Sequence, residues 1–249
     1  MEPHAFFCDR TAAVLWGLPL GHGDDLDVAV AAPHRAPRRG GIRGRQVMPE
    51  LVMLRELDGF RLTSPASTWA MLGARLSVRS LVRVGDAIVR VPRERGGHRR
   101  DDLQLASLAR LEAAIAVGRR PGVARLREAI EMVRVGSASP LETDFRLDAA
   151  ADGLPEPELD IEIRDARGVL LGVTEIGYRE YRVLVEIEGD HHRTSKEQWN
   201  RDIEKYAAYV AQGFEVVRLT GAHIRGPRPT ATARVREALV RHGWRLGGS

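Results

Sequence analysis

From its start the chain alternates between apolar residues at helical spacing and short runs in which every second residue is apolar. Thr11–Trp16 predicts a helix closed by Gly17 and Pro19, and Asp27–Ala31 (DVAVA) alternates as a strand. A loop rich in Pro, Arg and Gly follows from Pro33 to Arg45, and Leu57–Leu62 predicts a strand or turn. Ser64 then marks an N-cap, with Pro65 at the first helical position. Ser77–Val89 predicts a further helix, and Arg90–Arg100 (RVPRERGGHRR) a loop. Asp101–Val117 and Gly122–Val135 are amphipathic, with Pro121 and Gly122 breaking the helix between them.

Beyond Ser139 the pattern changes. Ser139-Pro140-Leu141-Glu142 opens a helix that runs to about Ala151 and stops at Gly153. Pro157–Asp165, Val169–Tyr178 and Tyr181–Glu188 read as three strands, Thr194–Gln212 as a helix with Trp199, Ile203, Tyr206 and Val210 on its apolar stripe. Phe214–Thr220 (FEVVRLT) is a β-branched strand, and Thr230–Arg241 a last helix. The crossover through a helix into FEVVRLT makes that final pairing parallel. The fold class expected is α/β (α+β), an αβββαβ core with a mixed sheet preceded by a smaller, mainly helical α/β domain. The boundaries expected are 1–95, a helical connector at 96–136, and 137–249.

Composition narrows the class. No apolar run reaches the roughly 18–20 residues of a membrane span, and MEPHAFFCDR lacks a signal-peptide pattern. One cysteine, Cys8, excludes an internal disulfide. These features predict a cytoplasmic protein. Only Lys196 and Lys205 among the 38 basic residues are lysines, a bias that GC-rich coding also produces. Residues 1–135 hold 22 arginines against 15 acids, whereas 136–249 hold 16 basic residues against 19 acids. That asymmetry suits a DNA-facing part beside a metal-binding part, or coding bias alone.

The acids carry the candidate chemistry. Side chains alternate along a strand, so Leu184, Glu186 and Glu188 share one face of Tyr181–Glu188, and Val183, Val185 and Ile187 the other. Adjacent buried carboxylates repel, so the pair needs solvent or a cation. If Arg179-Glu180 forms a two-residue turn, Glu175 lies opposite Leu184 and diagonal to Glu186, roughly 7–8 Å away. Such carboxylates suit Mg²⁺, which can activate water and clamp a phosphate oxygen. Glu142 is either a fourth acid of this set or the third residue of a capping box. His191 and His192 are loop residues or assisting groups, and Asp202 with Lys205 fits an i,i+3 ion pair.

SPLET at Ser139–Thr143, VEIEGDHH at Val185–His192, Gln198 with Asp202 and Lys205, and GFEVVRLT at Gly213–Thr220 resemble the domain of unknown function 559. That domain is a branch of the PD-(D/E)XK restriction-endonuclease-like superfamily, related to very-short-patch repair endonucleases. The resemblance implies a Mg²⁺-dependent DNA-cleaving site, Mn²⁺ being an alternative, with Glu142, Glu175 and Glu186 as metal-binding acids. It places Glu188 with them and gives His191 or His192 an acid–base role. Two departures stand out: Glu175 replaces the usual Asp, and Glu188 replaces the superfamily's lysine, leaving water activation to the metal, the histidines or Lys205. TAAVLWGLPL (Thr11–Leu20), FRLTSPASTWAML (Phe60–Leu72) and VGDAIVR (Val84–Arg90) resemble the later part of AbiEi-type antitoxins, without their winged helix.

The function expected is therefore a metal-dependent DNA endonuclease, of nicking or repair type, or else a degenerate DNA-binding regulator of antitoxin type. Gln198, Arg201, Arg93 and Arg95 are candidate DNA contacts, and the arginine loops at Arg35–Arg45 and Arg90–Arg100 suit phosphate or simply water.

Overall fold

The computed structural model describes residues 4–94, 96–189 and 196–246, with the backbone alone for 196–201. The chain is a mixed α/β protein of two compact units. The first comprises Met1–Pro92 and Arg100–Val135, the second Arg93–Arg99 and Gly136–Ser249.

The first unit is organised on a five-stranded sheet of order β3-β2-β1-β5-β4. Its strands are β1 (Ala5–Phe7), β2 (Leu26–Ala31), β3 (Ile42–Val47), β4 (Leu54–Leu57) and β5 (Phe60–Thr63). Its helices are α1 (Asp9–Leu15), α2 (Pro65–Leu72), α3 (Val78–Val89), α4 (Leu108–Ala116) and α5 (Val123–Met132). As the sequence predicts, Ser64 caps α2 by accepting the Ser67 N–H, and Ser77 caps α3 through Ser80. Phe6, Cys8 and Ala29 meet Met71 of α2 on one sheet face.

Two expectations need correction here. The first unit is not the smaller of the two, though it is α/β with more helix than strand, as expected. Nor is 96–136 a connector: Arg93–Arg99 belongs to the second unit, while α4 and α5 pack on α2 and α3 of the first. The helix expected over Asp101–Val117 begins only at Leu108. Before it Asp101–Leu103 makes a 3-10 turn, and the residues after that turn are pinned against the end of α3, where Gln104 Nε2 donates to the Val89 carbonyl and the Ala106 N–H to that of Ile88.

The second unit has the order helix, three strands, helix, strand, then two helices. These are α6 (Pro140–Ala151), β6 (Glu158–Arg164), β7 (Leu170–Tyr178), β8 (Val183–Glu188), α7 (Lys196–Ala211), β9 (Glu215–Thr220), α8 (Gly221–Arg225) and α9 (Ala231–Arg241). The sheet runs β6-β7-β8-β9, with β8 and β9 parallel and the other pairs antiparallel. Val183, Val185 and Ile187 join Phe145 of α6 and Val235 and Leu239 of α9 in one core. Leu184 faces the other way, against Ile161, Ile163 and Tyr209. The alternation read from the sequence is thus the one observed.

The hairpin register differs from expectation. Gly177, not Glu175, lies opposite Leu184. Arg179–Tyr181 forms a 3-10 turn and Arg182 takes a left-handed conformation (φ 52°), so the connection is longer than two residues. The shift is by two positions, which keeps every side chain on its predicted face. Among the described residues no helix is long and apolar enough to cross a membrane.

Candidate functional site: a carboxylate cluster beneath α7

One step beyond the last paired residues, Ile176 and Val185, the corrected register sets Glu175 across from Glu186. There Glu175 Oε2 accepts the Ile187 N–H at 3.1 Å, a side chain replacing a backbone rung. Glu186 is buried, 6% exposed, and its Oε2 accepts from Lys205 Nζ at 2.8 Å. The Tyr206 hydroxyl stands 3.5 Å from the same oxygen. Glu142 enters from the first turn of α6, fixed by a cap of two halves. Ser139 Oγ accepts the Glu142 N–H, and Glu142 Oε2 accepts the Ala138 N–H at 2.6 Å. The capping reading of Glu142 is thus the one observed, and the cap fixes the direction of its carboxylate.

Electrostatics tie the three acids into one cluster. Glu175 is pushed up to about 8, first by burial and then by the facing charges of Glu142 and Glu186. The Ile187 N–H and Lys205 act against that rise. At Glu175, two like charges thus stand against one cation. Glu186 Oε1 is buried and has no hydrogen-bond partner among the described residues, a costly state for a carboxylate oxygen.

α7 supplies the cation in a way the apolar stripe did not predict. Ile203 and Val210, expected inward, are 52% and 60% exposed, whereas Tyr209 is fully buried. The helix is turned so that Lys205, Tyr206 and Tyr209 face the sheet, and the ammonium lies 4.9 Å from the Tyr206 ring centroid. Gly172 of β7 permits this approach. A Cβ there would sit 2.5 Å from the Tyr209 hydroxyl and 3.1 Å from the Lys205 stem.

Glu188 is not drawn into the cluster. It pairs with Arg218 of β9, whose Nε donates at 2.6 Å, and Arg218 lies 5.2 Å from the Tyr206 ring centroid. Arg93, a candidate DNA contact, is spent within the protein: it bonds Asp160 at 2.6 Å, Glu162 at 3.0 Å and the Gly97 carbonyl, clasping its loop to β6. His191, His192 and Arg95, and the side chains of Gln198 and Arg201, lie outside the described residues.

The sequence reading missed Arg218, Tyr206 in its polar role, and Gly172. Arg218 had a signal, being the charged residue between Val217 and Leu219 in an otherwise apolar stretch. Gly172 had none, because the need for a small residue there arises from a helix distant in sequence.

Among the described residues no three acidic, imidazole or thiol groups already surround one point as metal ligands do. The donor set nevertheless suits a hard divalent cation, since it offers carboxylate oxygens, one of them buried and unpartnered. Glu175 and Glu186 could hold such an ion, with the charge of Glu142 felt at Glu175.

No protein-family model matches the chain, and no solved structure matches it. The chain is similar to two proteins of Mycobacterium tuberculosis: "Uncharacterized protein MT2308" of strain CDC 1551 / Oshkosh and "Uncharacterized protein Rv2248" of strain ATCC 25618 / H37Rv. Each is 25% identical over 248 residues, covering 97% of this chain and 83% of the relative.

Proposed function

We propose that the second unit is a Mg²⁺-dependent DNA endonuclease hydrolysing phosphodiesters, with Mn²⁺ able to replace Mg²⁺. The observation that carries this reading is the meeting of Glu175 and Glu186 on adjacent strands, with Glu186 Oε1 buried and without a hydrogen-bond partner among the described residues. The resemblance of Ser139–Thr143, Val185–His192 and Gly213–Thr220 to the domain of unknown function 559 points the same way. When bound, the ion supplies an acidified water and a clamp for a phosphate oxygen. Glu175 and Glu186 hold it, and the cap at Ser139 keeps Glu142 aimed at them. Lys205, on Glu186 Oε2, orients that carboxylate and brings an ammonium to the site from which the strand lysine is missing, where it can share in water activation. A nicking or repair-type cut, and work in the cytoplasm, belong to this proposal.

One observation favours a second reading, a degenerate DNA-binding regulator of antitoxin type. Glu188, at the position of the superfamily's lysine, is locked in an ion pair with Arg218.

Plasmid cleavage in Mg²⁺ or Mn²⁺, comparing wild type with Glu186→Ala, separates the two. Metal-dependent nicking that disappears in the variant supports the nuclease. Equal activity in both proteins removes Glu186 from the site. No cleavage, with salt-sensitive DNA binding retained, establishes the regulator.

A further inference from the structure

β8 and β9 are parallel and in register, with Glu186 paired to Arg218. Side chains of paired residues project on the same face, so Arg218 stands on the α7 side, next to Glu186 and about 5 Å away between backbones. Glu175, Glu186 and Arg218 thus form a row across β7, β8 and β9: acid, acid, guanidinium. We infer that Arg218 is the residue that grips the DNA phosphate lying against the carboxylates. The inference rests on the nuclease reading and adds to it the group that binds the substrate's anion.

Three features distinguish Arg218 from an ordinary surface arginine. Its orientation is fixed on two sides, by Glu188 through Nε and a second close nitrogen contact, and by the Tyr206 ring beneath it. It is 44% exposed, so a ligand arriving at Glu186 can reach it. It also lies against the ring of Tyr206, whose hydroxyl stands 3.5 Å from Glu186 Oε2, so one side chain touches both members of the row. Lys205 is occupied on Glu186, and among the described residues Arg218 is the cation paired in register with Glu186. Chemistry favours the assignment as well. A phosphodiester set down beside three carboxylates needs a positive group besides the metal, and a planar guanidinium offers two parallel N–H groups to two phosphate oxygens. Glu188, expected among the site acids, is then the counter-ion that holds this fork in place.

The test is binding of a fluorescein-labelled duplex to the full chain in EDTA, read by anisotropy over a series of NaCl concentrations. Losing one phosphate contact lowers the slope of log K against log salt by about 0.9. Arg218→Gln is expected to lose that amount and to bind at least about threefold more weakly. Arg218→Lys is expected to keep the slope, and so is Arg236→Gln, which removes a remote arginine of the same unit. Because Arg218→Lys retains the charge, it keeps the assignment testable if the glutamine variant folds poorly. An unchanged slope in Arg218→Gln, or an equal loss in Arg236→Gln, overturns the inference. If wild type still cleaves and Glu186→Ala does not, the nuclease reading survives that result. Wild type that neither binds nor cleaves overturns both.

Discussion

Each unit contains a cluster of buried acids, and the two are solved differently. In the first, Asp9 and Asp27 are both essentially buried. Asp9 Oδ2 meets Arg45 at 2.9 Å and Arg75 at 3.6 Å, and Asp27 meets Arg75 at 2.8 Å. Arg43 stands between Asp27 and the more exposed Asp25. Three acids there face three arginines. In the second unit Glu175 faces Glu142 and Glu186 with Lys205 as the opposing cation. A matched cluster holds a fold together, whereas one left short of positive charge costs stability until a cation arrives. Among the described residues, this contrast is what the proposed function takes as the mark of a site in the second unit. The matched cluster is not strain-free: Asp9 keeps one buried oxygen without a partner among the described residues and sits at φ 47°. Burial holds its carboxyl above the ordinary value, with Arg45 and Arg75 acting against that rise.

The largest expected effect tests that contrast directly. Glu186→Ala removes the acid shared by Lys205 and the proposed metal, and lowers Mg²⁺-dependent cleavage at least about a hundredfold. Cleavage is followed on supercoiled plasmid, with the melting temperature measured alongside. Next comes Arg75→Met in the matched cluster. It strips Asp9 and Asp27 of a shared partner at once and destabilises the first unit by about 3 kcal/mol in urea unfolding, while cleavage by the second unit is retained. If Arg75→Met abolishes cleavage in protein that is still folded, the division of labour between the clusters is wrong.

A third prediction concerns pH. Glu175 has its folded value raised to about 8 from the ordinary 4.5. A carboxyl shifted upward binds its proton more tightly in the folded state. The stability tied to that proton is complete below about 4.5, declines through the window up to about 8, and is absent above it. Melting temperatures in EDTA are therefore expected to fall between pH 5 and pH 8 by more in wild type than in Glu175→Gln, a difference of about a few degrees. Adding Mg²⁺ restores more stability at pH 8 than at pH 5, because a metal ligand must be deprotonated. Identical pH profiles for wild type and Glu175→Gln would remove the charge shortage from the account.

How much of this was legible beforehand follows from the range of each interaction. Caps at Ser64, Ser77 and Ser139 are local, and the sequence reading found the helices they start. The alternation of Val183–Glu188 is local too, and it placed Glu186 on the correct face. The register of the hairpin depended on Arg182 adopting a left-handed conformation, which nothing in YREYRV announces, so Glu175 was set two positions away from its true partner. The rotation of α7 was misread for a related reason. Ile203, Tyr206 and Val210 look like a core stripe on an isolated helix, but the salt bridge from Lys205 to Glu186 and the notch at Gly172 turn Tyr206 to the sheet beside Lys205 and Tyr209 and leave Ile203 and Val210 exposed, the Trp199 side chain lying outside the described residues. Both facts depend on residues far apart in the chain, and periodicity carries no information about them.

The smallest expected effect sharpens the comparison most. Arg43 and Arg218 are alike in kind: each is about half exposed, at 54% and 44%, and each is paired to an acid on a neighbouring strand. Exposed pairs contribute little, so Arg43→Gln and Arg218→Gln should each shift stability by less than about 0.5 kcal/mol. Asp27 keeps Arg75 at 2.8 Å when Arg43 is lost, so nothing else in the first unit changes. Arg218 differs in the Tyr206 ring against it and in its neighbour in register, Glu186 in place of Asp27. Two near-silent substitutions in urea titrations should therefore part in anisotropy, Arg218→Gln losing salt-dependent DNA affinity and Arg43→Gln keeping it. Equal losses would mean that DNA senses the arginine content of the whole surface, and the uncompensated cluster would then no longer be needed to explain where DNA binds.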